Sequence, residues 1–193
     1  MTIRTVEPAP TPTDDRPAPP AAATPAGNRP RYRWWHAVAV GVAVNIPGIL
    51  TGGGGADDRE FYASLPTPRL APPGWLFVPV WTVNNTLTLW GNLRIANLPE
   101  DTPGRRAVLA SEAATWVLYA AFSPLYIGRR SPALGAADTV AGLATTTHAV
   151  ARAATIDPRA AWALAPRLAW LTLASYVSVV TAVRHARGER RRA

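Results

Sequence analysis

The 193-residue chain is 48% apolar and only 17% charged, well short of the roughly 25% charge of an average soluble domain. It contains no cysteine, which excludes disulfides, thiolate catalysis and a Cys-ligated metal. Its net charge of +8 comes from arginine alone, and the arginines gather at the ends of apolar runs, which suits a headgroup surface and argues against a nucleic-acid partner.

The first thirty residues, MTIRTVEPAPTPTDDRPAPPAAATPAGNRP, are proline-rich and lack any aromatic side chain. Such a composition buries too little apolar surface to offset chain ordering, so a disordered tail is expected over residues 1–33. The run WWHAVAVGVAVNIPGIL, from Trp34 to Leu50, predicts a first helix near the short end of membrane-spanning length. Asn45, Pro47 and Gly48 mark a kink or an early end, and the glycines at 52–55 stop it. Residues 57–74 form a connector on which Phe61, Tyr62, Leu65 and Leu70 place one short amphipathic helix. Pro72 and Pro73 then precede a charge-free second span that closes at Leu93.

A third span runs from Ala107 to Ile127, broken by Glu112 and Pro124, and a fourth from Pro132 to Val150 carries Asp138 and His148. The fifth, about Ala161 to Val183, contains Arg167. Together the five runs predict an all-α fold, an integral membrane five-helix bundle over residues 34–185, followed by a basic tail at 186–193. A soluble helical protein with unusually apolar helices is the competing architecture. Two long stretches without any charge favour lipid, where each backbone must satisfy its hydrogen bonds within its own helix. Arginines divide almost evenly between the two flanks, which leaves orientation open.

Polar residues inside the spans are the candidates for function. Asn84 and Asn85 share a face with Trp81 and Thr88 at helical spacing, and two carboxamides in hydrocarbon need partners, from other helices or from a ligand. Glu112 and Asp138 are each placed to pair with Arg167. His36, His148 and His185 form no ligand set, so no metal is expected, and no nucleotide loop, zincin motif or nucleophile elbow is present. Of the eight tryptophans, Trp34, Trp35, Trp75 and Trp162 fall at span ends, as interfacial belts do. Trp81, Trp90, Trp116 and Trp170 lie deeper, where they either fill the core or wall a cavity for a flat ligand.

The stretch RLAPPGWLFVPVWT, with Pro72, Pro73, Trp75, Phe77 and Trp81, resembles the tryptophan-rich sensory proteins of the TspO/MBR (translocator protein) family. SPLYIGRR at 123–130 and APRLAWLTLASY at 165–176 resemble that family's third and fifth helices, and the likeness spans about residues 37–185. It implies a five-helix membrane protein, multi-pass in a bacterial cell membrane and commonly dimeric, that binds porphyrins and other flat hydrophobic molecules and takes part in tetrapyrrole and stress signalling. By that resemblance the ligand site comprises Tyr62, Trp81, Asn84, Asn85, Tyr119, Phe122, Arg167 and Trp170, with Tyr62 acting as part of a lid. No cofactor is required; porphyrin or haem enters as a ligand, and its propionates would pair with Arg167.

This chain departs from the family where ligand would sit. Asn84-Asn85 stands where the family has Leu-Tyr, and Pro166-Arg167 where it has Pro-Tyr, so a more polar or anionic ligand is expected. Ala110, Ala113 or Ala114, Ala120 and Ala121 supply a small-residue face for a homodimer or for a neighbouring helix. The family has also been associated with light-dependent porphyrin breakdown, but no acid–base pair is evident here and the chain is read as a binding protein rather than an enzyme. A small-molecule transporter, a pigment-modifying membrane enzyme and a ligand-free structural subunit are the alternatives.

Overall fold

The computed structural model describes residues 30–51 and 56–192. The expected tail falls outside them as far as residue 29, as do the glycines at 52–55. All regular structure among the described residues is helical. The order is α1 (Trp34–Leu50), α2 (Ala56–Ser64), α3 (Phe77–Ala96), α4 (Arg105–Ser123), α5 (Pro132–Ile156) and α6 (Pro158–Arg192).

Local chemistry explains most boundaries. The Arg33 N–H donates to His36 Nδ1 at 3.0 Å and closes the first turn of α1. The short helix expected on the connector is α2, and a single 3-10 turn, Gly74–Leu76, follows Pro73 and leads into α3. Pro124 does not end the third helix outright; a π-helical turn, Pro124–Gly128, carries it one turn further. Proline occupies the first helical position of both α5 and α6, where its missing N–H costs nothing. Both helices outrun the expected ends at Val150 and Val183. The apolar runs stop just before Arg152 and Arg184, but arginine and alanine are good helix formers, so the helices continue past them.

Five of the helices pack lengthwise: α5 lies against α4 and α6, α3 against α6, and α1 against α4 and α3. Where α3 crosses α6, a Cβ on Gly91 would come within 3.2 Å of the Ala163 Cβ and 3.3 Å of the Ala160 carbonyl, so glycine lets the helices approach a few tenths of an ångström closer than a side chain would. Nearby, Ile95, Val108, Ala149, Ala153 and Leu164 form a fully buried apolar knot. Arg105 ties it off by donating from Nη2 to the Ala96 carbonyl at 2.8 Å and from Nε to the Ile95 carbonyl at 3.3 Å, which serves the unpaired carbonyls at the C-terminal end of α3. Asn97 clasps the chain just ahead of α1, accepting from the Tyr32 N–H and donating to the Tyr32 carbonyl, both at 2.8 Å.

Polar side chains share the interior with apolar ones, and many large apolar side chains lie on the outside. Asn84, Thr88, Glu112, Asp138, Thr146 and Arg167 are buried, while Val42, Ile49, Val78, Val83, Val117 and Trp162 are exposed. Two helical stretches, Arg105–Gly128 and Pro158–Gly188, are long and apolar enough to cross a membrane; α1 is apolar but shorter. The polarity of α3 and α5 is concentrated on particular residues. Three Asn and three Thr lie in α3, and Asp138, His148 and five Thr in α5.

The α5–α6 junction gives a measurable consequence. Asp157 Oδ1 accepts from the N–H groups of Arg159 (3.0 Å) and Ala160 (3.2 Å), and Oδ2 accepts from Arg94 Nε at 2.9 Å. Burial alone would raise this carboxyl, but the Arg94 hydrogen bond, the backbone donors and the Arg94 charge outweigh it and hold the group below its ordinary value. The stabilisation is therefore complete above the ordinary carboxylate range, about pH 4, and is lost as pH falls through the lower folded-state value. Thermal unfolding in detergent should show Asp157→Ala destabilised by about 1 kcal/mol at neutral pH. The gap to wild type should close under acid conditions.

Candidate ligand site

The interior site begins with the inward face of α3. Trp81, Asn84, Asn85 and Thr88 all turn into the bundle, whereas Thr82, Val83 and Thr86 between them, and Trp90 beyond, are exposed. The two carboxamides diverge. Asn85 Nδ2 donates to the Tyr119 hydroxyl at 3.0 Å, and that hydroxyl donates to Asn45 Oδ1 at 2.9 Å, so one phenol on α4 links α3 to α1. Asn84 lies on the stripe that continues through Thr88 and Gly91 toward α6, and its Nδ2 has no hydrogen-bond partner. Sequence spacing identified the face, but nothing in it revealed Asn45 as the third member of the network.

A continuous set of aromatic rings surrounds this network. Trp81 meets Tyr119 at a centroid distance of 5.0 Å and Trp170 at 6.4 Å, Trp170 meets Phe77 at 5.4 Å, and Tyr119 meets Trp116 at 5.6 Å, all edge to face. Arg167 closes the circuit. Its guanidinium carbon lies 6.0 Å from the Trp116 ring centroid, and its Nη2 is ion-paired with Glu112 Oε1, both side chains 3% exposed. Of the two carboxylates placed to meet Arg167, the structure pairs Glu112 and leaves Asp138 apart.

Tyr62 and Phe122 belong to a second aromatic group with Phe61 and Tyr126, on α2 and the far end of α4. Trp116, Phe77, Phe61 and Tyr126 were absent from the sequence-based site. Trp116 is three residues from Tyr119, Phe77 four from Trp81 and Tyr126 four from Phe122, so helical spacing from the expected site residues is the signal that finds these three. Clefts of about 350 and 260 Å³ open at the other end of the molecule, lined by Tyr32, Trp90 and Arg94 and by Arg31, Leu98 and Arg105 respectively. In the interior group the rings rest on one another.

Among the described residues no three His, Asp or Glu side chains converge as metal ligands. The class defined by this fold and site is an all-α protein that exposes many large apolar side chains and buries several polar ones beside aromatic rings. The chain belongs to the TspO/MBR family, whose profile matches residues 36–184. With that membership comes a general sensory or ligand-binding role, non-catalytic.

The buried ion pair supplies the test of the site's energetics. Removing one partner, as in Arg167→Met or Glu112→Leu, strands the other charge and should cost about 3–5 kcal/mol, whereas the double replacement should come close to wild type. Thermal unfolding of the four proteins measures this cycle. Tyr119→Phe, which orphans Asn45 and Asn85 together, should cost about 1–3 kcal/mol in the same assay.

Proposed function

We propose that the protein is a membrane-embedded binding or sensory protein for a flat hydrophobic or amphipathic small molecule, a tetrapyrrole being the family's candidate. In this reading α1, α3, α4, α5 and α6 form a five-helix integral membrane bundle within residues 34–185, multi-pass in a bacterial cell membrane. The observation that carries it is the run of edge-to-face rings from Phe77 through Trp170, Trp81 and Tyr119 to Trp116, enclosed by helices whose outer faces are apolar. Aromatic walls of this kind bind a planar ring system by stacking and exclude water around it. A ligand enters by displacing the Trp81 and Trp170 rings from each other.

A tetrapyrrole's ring fits these walls better than its acid groups do. Glu112 already neutralises Arg167, so a propionate reaching that guanidinium would have to compete with a buried carboxylate. Trp81, Asn84, Asn85, Tyr119, Arg167 and Trp170 form the body of the proposed site, with Tyr62 and Phe122 at the end covered by α2. A homodimer is part of the same reading, since Ala110, Ala113 and Ala114 face outward from α4 rather than onto a neighbouring helix.

Purified protein in a mild detergent should quench its tryptophan fluorescence on titration with protoporphyrin IX. Trp81→Ala and Trp170→Ala should each weaken the midpoint by about tenfold. Trp162→Ala, at an exposed position, should leave it unchanged. No saturable binding, or equal loss in all three variants, would contradict the reading.

A further inference from the structure

Five charged side chains are buried among the described residues: Arg105, Glu112, Asp138, Asp157 and Arg167. Four of them have partners, because Arg105 serves the end of α3, Glu112 and Arg167 hold each other, and Asp157 holds Arg94. Asp138 is 7% exposed, its buried Oδ1 has no partner, and no hydrogen bond or ion pair joins its carboxylate to another described residue. Asp138 is thus the one buried carboxylate among the described residues that has no partner, on a chain whose net charge is strongly positive.

Asp138 lies one turn of α5 from an aromatic group. It shares a face of α5 with Gly135, three residues earlier, and Gly142, four residues later. At Gly135 a Cβ would overlap the Tyr126 ring, so bare backbone is what lets that ring sit against α5. Tyr126 in turn meets Phe122 at 5.2 Å, Tyr62 at 5.5 Å and Phe61 at 5.9 Å between centroids. Phe122 lies three residues from Tyr119 along α4, which connects this group to the rings around Trp81.

From this juxtaposition, and resting on the ligand-binding reading above, we propose that Asp138 is a ligand-recognition residue and that the ligand carries an organic cation, a protonated amine or a quaternary ammonium. A buried, unpartnered carboxylate one helical turn from a group of aromatic rings is the chemistry that suits such a group. A hard metal ion would need a shell of six or more oxygen ligands, and no acidic cluster provides one here. The apolar body of the ligand lies toward Trp81 and Tyr119, and its charged end toward Asp138. The expected ligand charge is therefore the reverse of the one that an unpaired Arg167 would have implied.

Three probes with the same naphthalene ring, bearing a trimethylammonium-methyl, a hydroxymethyl or a carboxymethyl group, test this with full-length protein in uncharged maltoside micelles. Tryptophan quenching should give a midpoint about tenfold lower for the ammonium than for the alcohol, with the carboxylate weakest. Asp138→Asn should bring the ammonium and the alcohol together while leaving alcohol binding intact, and Asp138→Glu should restore the preference. Asp138→Asn should also melt no lower than wild type, because it removes an unpaired buried charge, so lost preference cannot be attributed to unfolding. Equal binding of alcohol and ammonium by wild type, or a preference that survives Asp138→Asn, would overturn this proposal and leave the binding reading standing. Saturable binding of none of the three probes would overturn both.

Discussion

The constraint on which the rest depends is that polar groups placed inside a bundle with an apolar exterior must find their partners inside it. The outer surfaces of α1 and α4 offer valines and isoleucines rather than hydrogen-bonding groups, and a donor left unmade inside the bundle costs of order several kcal/mol. That requirement explains why the specific contacts of this protein are internal. Asn45, Asn85 and Tyr119 tie three helices through one hydroxyl, and Glu112 with Arg167 ties α4 to α6. The apolar knot around Ile95 and Leu164 closes one end without any such network.

The two ends of the bundle consequently do different work. At the end where α3 stops and α4 starts, Arg105 and Asn97 bind main-chain groups, and Asp157 begins α6. Each of these contacts fixes backbone, so this end is the rigid one. At the other end the contacts are ring on ring, between the short connector helix and the π-helical turn after Pro124. Aromatic contacts are less directional than hydrogen bonds and rearrange at smaller cost, which suits an entrance to the interior.

Much of this was legible in the sequence because helix periodicity and charge placement are local signals. The first helix was bounded correctly by the apolar run between Trp34 and Leu50, and the inward face of α3 by the spacing of Trp81, Asn84, Asn85 and Thr88. The later helices extend beyond their apolar runs because arginine and alanine continue a helix as readily as leucine does. What sequence could not supply was pairing between helices. Arg167 had two candidate carboxylates, and only the rotational setting of α4 and α5 about α6 decides for Glu112. Asn45 looked like a kink-forming residue, since its partner Tyr119 lies 74 positions away. The importance of Gly135 appeared only once the Tyr126 ring was seen lying against it.

The central claim, that lipid contacts the outer faces of these helices, has a direct test because the natural chain lacks cysteine. Single cysteines placed at Val83, Val117 and Val179, which are exposed, and at Glu100 and Arg129, which flank the helices, can be spin-labelled one at a time in reconstituted bilayers. Power-saturation measurements should then find the three valine positions accessible to oxygen and shielded from a water-soluble nickel chelate, with the reverse at the two flanking positions. Strong chelate access at Val83, Val117 and Val179 would contradict the account.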